Sequence, residues 1–348
     1  MHNTRLEKLL EAMAAKCIDT LFITDEKNMH YYSGFYKGEG YLVINKNRFV
    51  VVTDSRYTEY ASMVCKGFDV VNIASASPGD FTSENEVCGF EDKSISYAKY
   101  REFASKIKNL FPCGDITDSL RQVKDEHEIS LIKKAAHITD MAFEHICSYI
   151  APGISEKNIA AEIDSFMKKN GADDIAFSTI AASGTRASLP HAIPCDEKVQ
   201  KGDFIVLDYG CNIEGYCSDM TRTVAVGCVS DEKREVYSAV LKAQLMALDA
   251  LKAGVTGEYV DSVARNYLDS LYPDCFGHAL GHSVGLYIHE DPNLSRRNSQ
   301  PLVPGVVITV EPGVYLEGNT GVRIEDLTVV REDGCEILSK SPKELIVL

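Results

Sequence analysis

Four carboxylates stand inside or at the ends of apolar, strand-like runs in the C-terminal half of the chain. Burying an ionised carboxylate in a strand costs free energy unless a partner compensates the charge. Two carboxylates that meet on neighbouring strands need a cation or a proton between them. The fold must therefore bring a positive partner to each of these positions, which are Asp208, Asp219, Glu311 and Glu325.

The first two of these acids flank a predicted turn. Asp208 ends the apolar run that begins at Phe204, and Asp219 opens another apolar run. Turn-forming residues between Asn212 and Gly215 predict a hairpin that lets Asp208 and Asp219 face each other. The alternatives are a strand-end cap for Asp208 and a surface position for Asp219.

The other two acids lie in later strand-like runs. Glu311 stands between Val310 and a Pro-Gly turn, and Glu325 follows Val322-Arg-Ile. Arg323 could pair with either glutamate, so separate salt bridges are the alternative here. A single metal centre shared by four strand-end acids explains the pattern better than four independent ion pairs.

A segment rich in glycine and histidine, residues 277–290, supplies imidazoles. His278 and His282 have the i, i+4 spacing of zinc ligands on a helix, but the glycines at 277 and 281 disfavour a helix there. Oxygen ligands with one imidazole suit manganese, with cobalt or zinc as alternatives. His191 follows another predicted strand, and a surface loop position is its alternative.

Periodicity divides the chain into two domains, residues 1–118 and 119–348. The first alternates strand and helix signals and predicts a mixed α/β domain. Its helices are predicted at 4–16 and 97–110, and its strands at Thr20–Ile23, Tyr41–Ile44, Arg48–Thr53, Asp69–Ile73 and Val87–Phe90.

The second domain is predicted to be α+β, with antiparallel strands and helices on one face. Ser155 is the expected N-cap of one of its helices. Helices are predicted at 125–149, 155–170, 231–252 and 257–271, and strands at 175–182, 204–209, 220–226, 306–310 and 322–330.

Composition excludes several classes of partner. The formal net charge of −15, from 51 acidic and 36 basic residues, argues against nucleic-acid or membrane-surface binding. The first seventeen residues predict an amphipathic helix rather than a signal peptide, and no segment has the roughly 20 apolar residues of a membrane span. The 11 cysteines form no Cys-x-x-Cys pair, which favours reduced thiols and a cytoplasmic location.

Several short motifs occur in a characteristic order. Together they resemble the pita-bread metallopeptidases, in the branch that contains aminopeptidase P and prolidase. The first domain resembles the creatinase-like domain of this family at Asn28–Phe35 and Thr53–Tyr57. The motifs of the second domain are Ser183-Gly…Pro190-His191, Asp208-Tyr-Gly, Ser218-Asp-Met-Thr-Arg-Thr, Gly281-His-Ser-Val-Gly-Leu…His289-Glu, Thr309-Val-Glu-Pro-Gly and Arg323-Ile-Glu-Asp.

The resemblance implies a C-terminal pita-bread domain, preceded by a smaller creatinase-like α/β domain, that holds two divalent metal ions per subunit. Asp208 would chelate one ion, Asp219 and Glu325 would bridge both, and His282 and Glu311 would complete the set.

Roles in substrate handling also follow from the resemblance. His191 and His289 would orient the substrate and move protons, and Glu311 would take the proton of the attacking water. His278 would line a proline pocket, and Arg323 would hold an acidic side chain beside the substrate.

The resemblance further implies cleavage of Xaa-Pro bonds at peptide N-termini, in a homodimer. Prolidases commonly carry an arginine just beyond the His-Glu motif that clamps a dipeptide carboxylate. Asn293 occupies that position, which favours an Xaa-Pro aminopeptidase over an Xaa-Pro dipeptidase, although Arg296 or Arg297 could reach in.

Two further readings stay open. One is a metal-free pita-bread protein, either creatinase-like or a binding module, since a fold does not fix a function. The other is a methionine aminopeptidase, which shares the ligand set but usually lacks an N-terminal domain of this size.

Overall fold

The computed structural model describes residues 2–348, so Met1 lies outside the described residues. The chain forms two compact units, one extending to Arg121 and the other running from Gln122 to Leu348. No helix of the described residues is long and apolar enough to cross a membrane.

The first unit is built on a six-stranded mixed sheet. Its strands are β1 (Thr20–Ile23), β2 (Tyr41–Asn45), β3 (Arg48–Thr53), β4 (Asp69–Asn72), β5 (Cys88–Phe90) and β6 (Leu110–Pro112), in the order β4-β3-β2-β1-β5-β6. Its helices are α1 (His2–Ala15), α2 (Glu26–Ser33), α3 (Thr58–Val64), α4 (Tyr97–Ala104) and α5 (Ile116–Ser119). The β1–β2 and β2–β3 pairs are antiparallel and the other pairs are parallel, which confirms the mixed α/β prediction.

The helix predicted at 97–110 is too long. It ends at Ala104, and Leu110 starts β6, which pairs in parallel with β5. Helix α2 escaped prediction because its sequence has no clear apolar period. It is fixed instead by its ends, where Asp25 accepts a hydrogen bond from Asn28 N and Gly34 adopts a φ of 79°.

The second unit contains four helices and thirteen strands among its described residues. The helices are α6 (Glu126–Tyr149), α7 (Glu156–Lys169), α8 (Asp231–Ala250) and α9 (Gly257–Leu271). The strands are β7 (Asp174–Ile175), β8 (Ile180–Ser183), β9 (Phe204–Tyr209), β10 (Cys211–Ile213), β11 (Tyr216–Cys217), β12 (Met220–Ala225), β13 (Gly281–Ser283), β14 (Glu290–Leu294), β15 (Val307–Val310), β16 (Gly313–Leu316), β17 (Thr320–Arg323), β18 (Asp326–Arg331) and β19 (Gly334–Ile337).

Two sheets of this unit matter for the site. One has the order β12-β9-β8 and the other β14-β13-β15-β18-β19, and the paired strands in both are antiparallel. Residues of α6 and α7 share a buried apolar cluster with β8, β9 and β12. Residues of α8 and α9 share another with β15, β17 and β18. These packings confirm the α+β prediction.

Two predicted strands are interrupted in the structure. The run 175–182 is split into β7 and β8, and the run 322–330 is split into β17 and β18 around Ile324 and Glu325. The predicted N-cap is present, because the Ser155 side chain accepts a hydrogen bond from Asn158 N at the start of α7.

Candidate metal centre

Strand alternation separates the site residues from the apolar core. On β9, Ile205, Leu207 and Tyr209 belong to the cluster shared with α6 and α7. Because successive side chains of a strand point to opposite faces, Asp208 lies on the face away from these helices.

The same alternation operates in the second sheet. Ile308 and Val310 belong to the apolar cluster shared with α8 and α9, and so does Ile324. Glu311, which directly follows β15, and Glu325, which lies between β17 and β18, line a cavity instead.

The structure brings a compact set of ligand atoms together. Donor atoms of Asp219, His282 and Glu325 all lie within 4.8 Å of one another. His282 Nε2 is 3.5 Å from Asp219 Oδ2 and 3.4 Å from Glu311 Oε1. Asp208 is paired across β9 and β12 with Thr221, two residues beyond Asp219, as the predicted hairpin requires.

Three of the carboxylates keep a buried oxygen without a hydrogen-bond partner among the described residues. These atoms are Asp208 Oδ1, Asp219 Oδ1 and Glu325 Oε1. Buried polar atoms are normally paired, so three such oxygens in one cluster need an explanation. A cation coordinated by them provides one, and the oxygen-rich donor set with one imidazole fits a hard divalent ion.

Burial and mutual repulsion shift the carboxyl groups of this cluster. Burial, and then the charges of Glu325 and Asp208, raise the pKa of Asp219 well above its usual range. Burial, and then the charge of Glu325, also raise the pKa of Glu311 well above its usual range. Burial and the charge of Asp208 raise the pKa of Glu325 to about 8.

The histidines near the cluster are disfavoured as cations. Burial, assisted by the nearby His289, lowers the pKa of His282 to about 4. Burial also lowers the pKa of His289, whose ring centroid lies 4.3 Å from that of His282. A neutral imidazole is the form that can ligate a metal.

Two threonines that were not predicted as site residues hydrogen-bond to the candidate ligands. Thr221 Oγ1 donates to Glu325 Oε2 at 2.7 Å and accepts from Arg323 Nε at 3.0 Å. Thr309 Oγ1 donates to Glu311 Oε1 at 3.2 Å and accepts from His282 N at 3.0 Å. Each threonine lies two residues from a site acid that borders its strand, Asp219 before β12 and Glu311 after β15, and this spacing was the available signal.

Gly281 allows β13 to approach β15 beside His282. A Cβ at this position would stand 2.0 Å from Thr309 O, closer than any side chain permits. The lack of a side chain at Gly281 therefore permits this close approach of the two strands. Neither His278 nor His282 lies on a helix, as their flanking glycines predicted.

Each nitrogen of the Arg323 guanidinium donates to a protein group. Its Nη2 donates to Asp208 Oδ2 at 2.6 Å, and its Nη1 donates to Tyr315 Oη at 2.8 Å. The Tyr315 hydroxyl lies 2.9 Å from His278 Nε2, and His278 Nδ1 lies 2.8 Å from Ala279 O. Burial, and then the charge of Arg323, lower the pKa of His278 to about 4, so His278 Nε2 accepts from Tyr315.

A cavity of about 1180 Å³ opens over this cluster. Besides the metal-ligand candidates, its lining includes His191, His278 and His289, so all the predicted site residues meet around one space. Apolar side chains, among them Phe177, Ile193 and Phe276, form part of the wall, as expected of a site for an organic substrate.

The strand after the His-Glu motif forms one edge of the cavity. Asn293 on β14 is paired directly with His282 on β13, and both line the cavity. Arg296 and Arg297 line it as well, and Arg296 is 3.6 Å from Asp269. The positions weighed in the sequence for carboxylate binding therefore all reach the same space.

Comparison with known proteins identifies the family. The model of Metallopeptidase family M24 matches residues 130–332, and that of the Creatinase/Prolidase N-terminal domain matches residues 5–123. An Xaa-Pro dipeptidase of Pyrococcus furiosus is 37% identical, over 98% of this chain and 99% of its own length.

Two solved structures are similar over almost the whole chain. An Xaa-Pro dipeptidase from Bacillus anthracis is 40% identical with a TM-score of 0.97, covering 100% of both chains. An X-Pro aminopeptidase from Thermotoga maritima is 40% identical with a TM-score of 0.90, covering 99% of this chain and 100% of its own. The chain belongs to metallopeptidase family M24, in the pita-bread branch of aminopeptidase P and prolidase. It is a metallopeptidase, and the predicted fold class, a creatinase-like domain followed by a pita-bread domain, is confirmed.

Proposed function

We propose that this protein is a dinuclear-metal exopeptidase that hydrolyses the bond between an N-terminal residue and proline. The observation that carries the proposal is the set of three buried, unpartnered carboxylate oxygens beside His282. The relatives described above are named for Xaa-Pro substrates, which supports the same substrate class.

Five side chains would hold the metal ions. Asp208, Asp219 and Glu325 offer the unpartnered oxygens, while His282 and Glu311 offer an imidazole nitrogen and a further carboxylate. We propose manganese as the native ion, with cobalt or zinc as alternatives, because the donor set is rich in oxygen. When bound, two such ions would lower the pKa of a water towards about 7 and polarise the scissile carbonyl.

The remaining steps belong to side chains of the protein. Glu311 accepts the proton of the attacking water as the new carbon–oxygen bond forms, and the proton then passes to the proline nitrogen as the carbon–nitrogen bond breaks. His191 and His289 hydrogen-bond to the developing oxyanion and to the substrate backbone. Their places in the cavity lining support these roles.

Two further residues shape the site without touching the attacking water. His278 would line the proline pocket, which the apolar ring of Phe276 beside it supports. Arg323 would hold Asp208 in orientation, in agreement with its 2.6 Å hydrogen bond, instead of contacting substrate directly.

Two activities that differ in the length of the substrate are candidates, an Xaa-Pro aminopeptidase and an Xaa-Pro dipeptidase. Asn293 lies opposite His282 and cannot form the bidentate pair that a guanidinium forms with a dipeptide carboxylate, which favours an aminopeptidase. Two of the three relatives named above are dipeptidases, and Arg296 and Arg297 line the cavity, which favours an Xaa-Pro dipeptidase.

A metal and peptide experiment tests the proposal. Chelated enzyme would be reloaded with manganese, cobalt or zinc and assayed on Xaa-Pro, Xaa-Pro-Xaa and Xaa-Ala-Xaa peptides. We expect metal-dependent cleavage at Xaa-Pro bonds, with two ions per subunit by elemental analysis. Turnover in the chelated enzyme, or equal cleavage of the alanine peptide, would refute it. The dipeptide-to-tripeptide ratio of kcat/KM then decides between the two candidates.

We also propose a homodimer working in the cytoplasm. No disulfide joins the cysteines among the residues that the structure describes, which agrees with a reducing compartment. Light scattering coupled to size exclusion would test the dimer.

A further inference from the structure

His191 sits on a segment whose two ends meet at one buried carboxylate. This segment, residues 183–195, contains the 3-10 helix Gly184–Ser188 and continues to Cys195. Glu156, the first residue of α7, is completely buried, although it carries a charge and lies outside the metal centre. The proposed reaction gives this carboxylate no role, so its burial needs another explanation.

The Glu156 carboxylate accepts hydrogen bonds from both ends of the segment. Oε1 accepts from Ser183 N at 2.8 Å and from Ser183 Oγ at 3.1 Å. Oε2 accepts from Cys195 N at 3.2 Å, and the Cys195 thiol lies 3.3 Å from the same oxygen. The Glu156 side chain therefore holds both ends of the segment, Ser183 at the end of β8 and Cys195.

Arg186 compensates the buried charge and extends the clamp into the segment. Its Nε lies 3.0 Å from Glu156 Oε2, and its Nη2 donates to Ile193 O at 2.7 Å. Ile193 follows His191 closely in the chain, so the ion pair restrains the backbone on the C-terminal side of His191.

Arg323, beside the candidate metal ligands, restrains the backbone on the N-terminal side of His191. Arg323 Nη1 donates to Pro190 O at 3.3 Å, while Nη2 of the same guanidinium holds Asp208. A Cβ at Gly321 would stand 1.9 Å from Ala187 O, so β17 packs directly against the 3-10 helix. His191 is thus exposed to the cavity on a backbone that is fixed on both sides.

We infer that Glu156 is a positioning residue, which fixes the distance between His191 and the metal centre by clamping both ends of segment 183–195. The inference rests on the proposed role of His191 in binding the oxyanion or substrate. A general base or a bound donor works only within hydrogen-bond reach, and small displacements of it reduce turnover strongly. Nothing in this arrangement requires Glu156 to touch substrate or metal.

A double-mutant cycle tests the inference. We expect Glu156→Gln, which keeps the size but loses the charge, to lower kcat by about 10- to 100-fold. KM and the bound-metal content should stay near wild type, since no metal-ligand candidate bonds to Glu156. In a His191→Ala background the same substitution should lower kcat by less than about twofold, because a displacement of segment 183–195 can act through the His191 imidazole only when that imidazole is present.

The matched control is Glu162→Gln on the same helix, whose carboxylate bonds to His145 at 2.7 Å instead of to the segment. We expect this control to leave kcat unchanged. If Glu156→Gln failed to fold, Arg186→Gln would replace it. The Arg186 side chain is 29% exposed, and its substitution removes the ion pair with Glu156 without changing the buried carboxylate itself. It should lower kcat by about tenfold and show the same coupling to His191.

The outcomes separate this inference from the proposed function. If His191→Ala kept full kcat, the proposed role of His191 would fail and the inference with it. If His191→Ala were impaired but the two losses multiplied, Glu156 would be a purely structural residue and only the inference would fail.

Discussion

Arg323 Nη2 and Asp208 Oδ2 form a 2.6 Å hydrogen bond between residues 115 positions apart in the chain. The bond engages one oxygen of Asp208 and leaves Oδ1 buried without a partner among the described residues. Arg323 thereby determines which oxygen of Asp208 is available to a cation.

We therefore expect Arg323→Lys to weaken metal binding by about 10- to 100-fold, because an ammonium cannot reproduce the guanidinium fork. A competitive chelator titration measures the change. Arg331→Lys is the matched control, since Arg331 pairs with Glu336 outside the site. An unchanged metal Kd in Arg323→Lys would show that Arg323 does not orient Asp208 for metal binding.

Two adjacent acids should respond in opposite ways to neutralisation. Asp326 is bonded to Arg222, Gln244 and Lys343, whereas Glu325 keeps an unpartnered oxygen. Glu325→Gln should lose bound metal and activity yet leave the metal-free protein at least as stable as wild type at alkaline pH. Asp326→Asn should keep metal but lose about 3 kcal/mol of stability, since Arg222 is left buried without full compensation.

Elemental analysis and chemical denaturation measure both effects in the same preparations. Metal retained at wild-type stoichiometry in Glu325→Gln would exclude Glu325 from the ligand set.

The histidines should divide into two groups. His191→Ala and His289→Ala should reduce kcat strongly and keep the bound metal, because neither belongs to the proposed ligand set. His282→Ala should lose metal, because His282 Nε2 lies within 3.5 Å of both Asp219 and Glu311. Parallel metal analysis of the three variants makes the comparison. Equal metal loss from His191→Ala and His282→Ala would contradict the assignment.

Stability of the metal-free protein should fall as pH rises. The folded-state pKa of Glu325 is about 8, raised by burial and Asp208, while an unfolded glutamate titrates near about 4.3. Between these two pKa values the metal-free folded state still binds a proton that the unfolded chain has released. The free energy of unfolding of the metal-free protein therefore falls as the pH rises through this range. Bound cations take the place of the proton, so the loaded protein escapes this decline.

The difference in Tm between loaded and metal-free protein should accordingly widen as pH is raised from about 5.5 to about 8. Differential scanning calorimetry at several pH values measures it. Glu325→Gln is the control, and its metal-free form should show a shallower dependence on pH. A constant difference in Tm would show that protons do not occupy the site in place of metal.

Asn293→Arg tests the basis of substrate length. Asn293 is paired with His282 across β13 and β14, so a guanidinium there would enter the same cavity. We expect the ratio of kcat/KM for Xaa-Pro over Xaa-Pro-Xaa to rise by about tenfold or more, as a charge-assisted pair forms with the dipeptide carboxylate. Arg297→Gln serves as the companion variant. A fall in the same ratio there would show that Arg297 already binds the carboxylate in the wild type.

The sequence indicated which residues meet around the cavity more completely than it indicated the helices and strands that carry them. Asp208 and Glu311 could be recognised because each ends an apolar run, and the alternation of side chains then fixes which face they occupy. Strand β14 could not be predicted, because Glu290-Asp-Pro-Asn has no apolar period and pairs only through its neighbour β13. Thr221, Thr309 and Tyr315 were missed because each contacts a residue of another part of the chain, Glu325, His282 and His278 respectively.

The ligand candidates come from two different sheets. Asp208 belongs to β9 and Asp219 precedes β12, whereas His282 lies on β13 and Glu311 follows β15. Thr221 meets Glu325 across 104 residues of sequence. Because each sheet alone carries only part of the candidate donor set, we expect tight metal binding only after both sheets have docked. Metal capture is then a late event in folding, and its rate would report when the second unit is complete, since such non-local contacts form slowly.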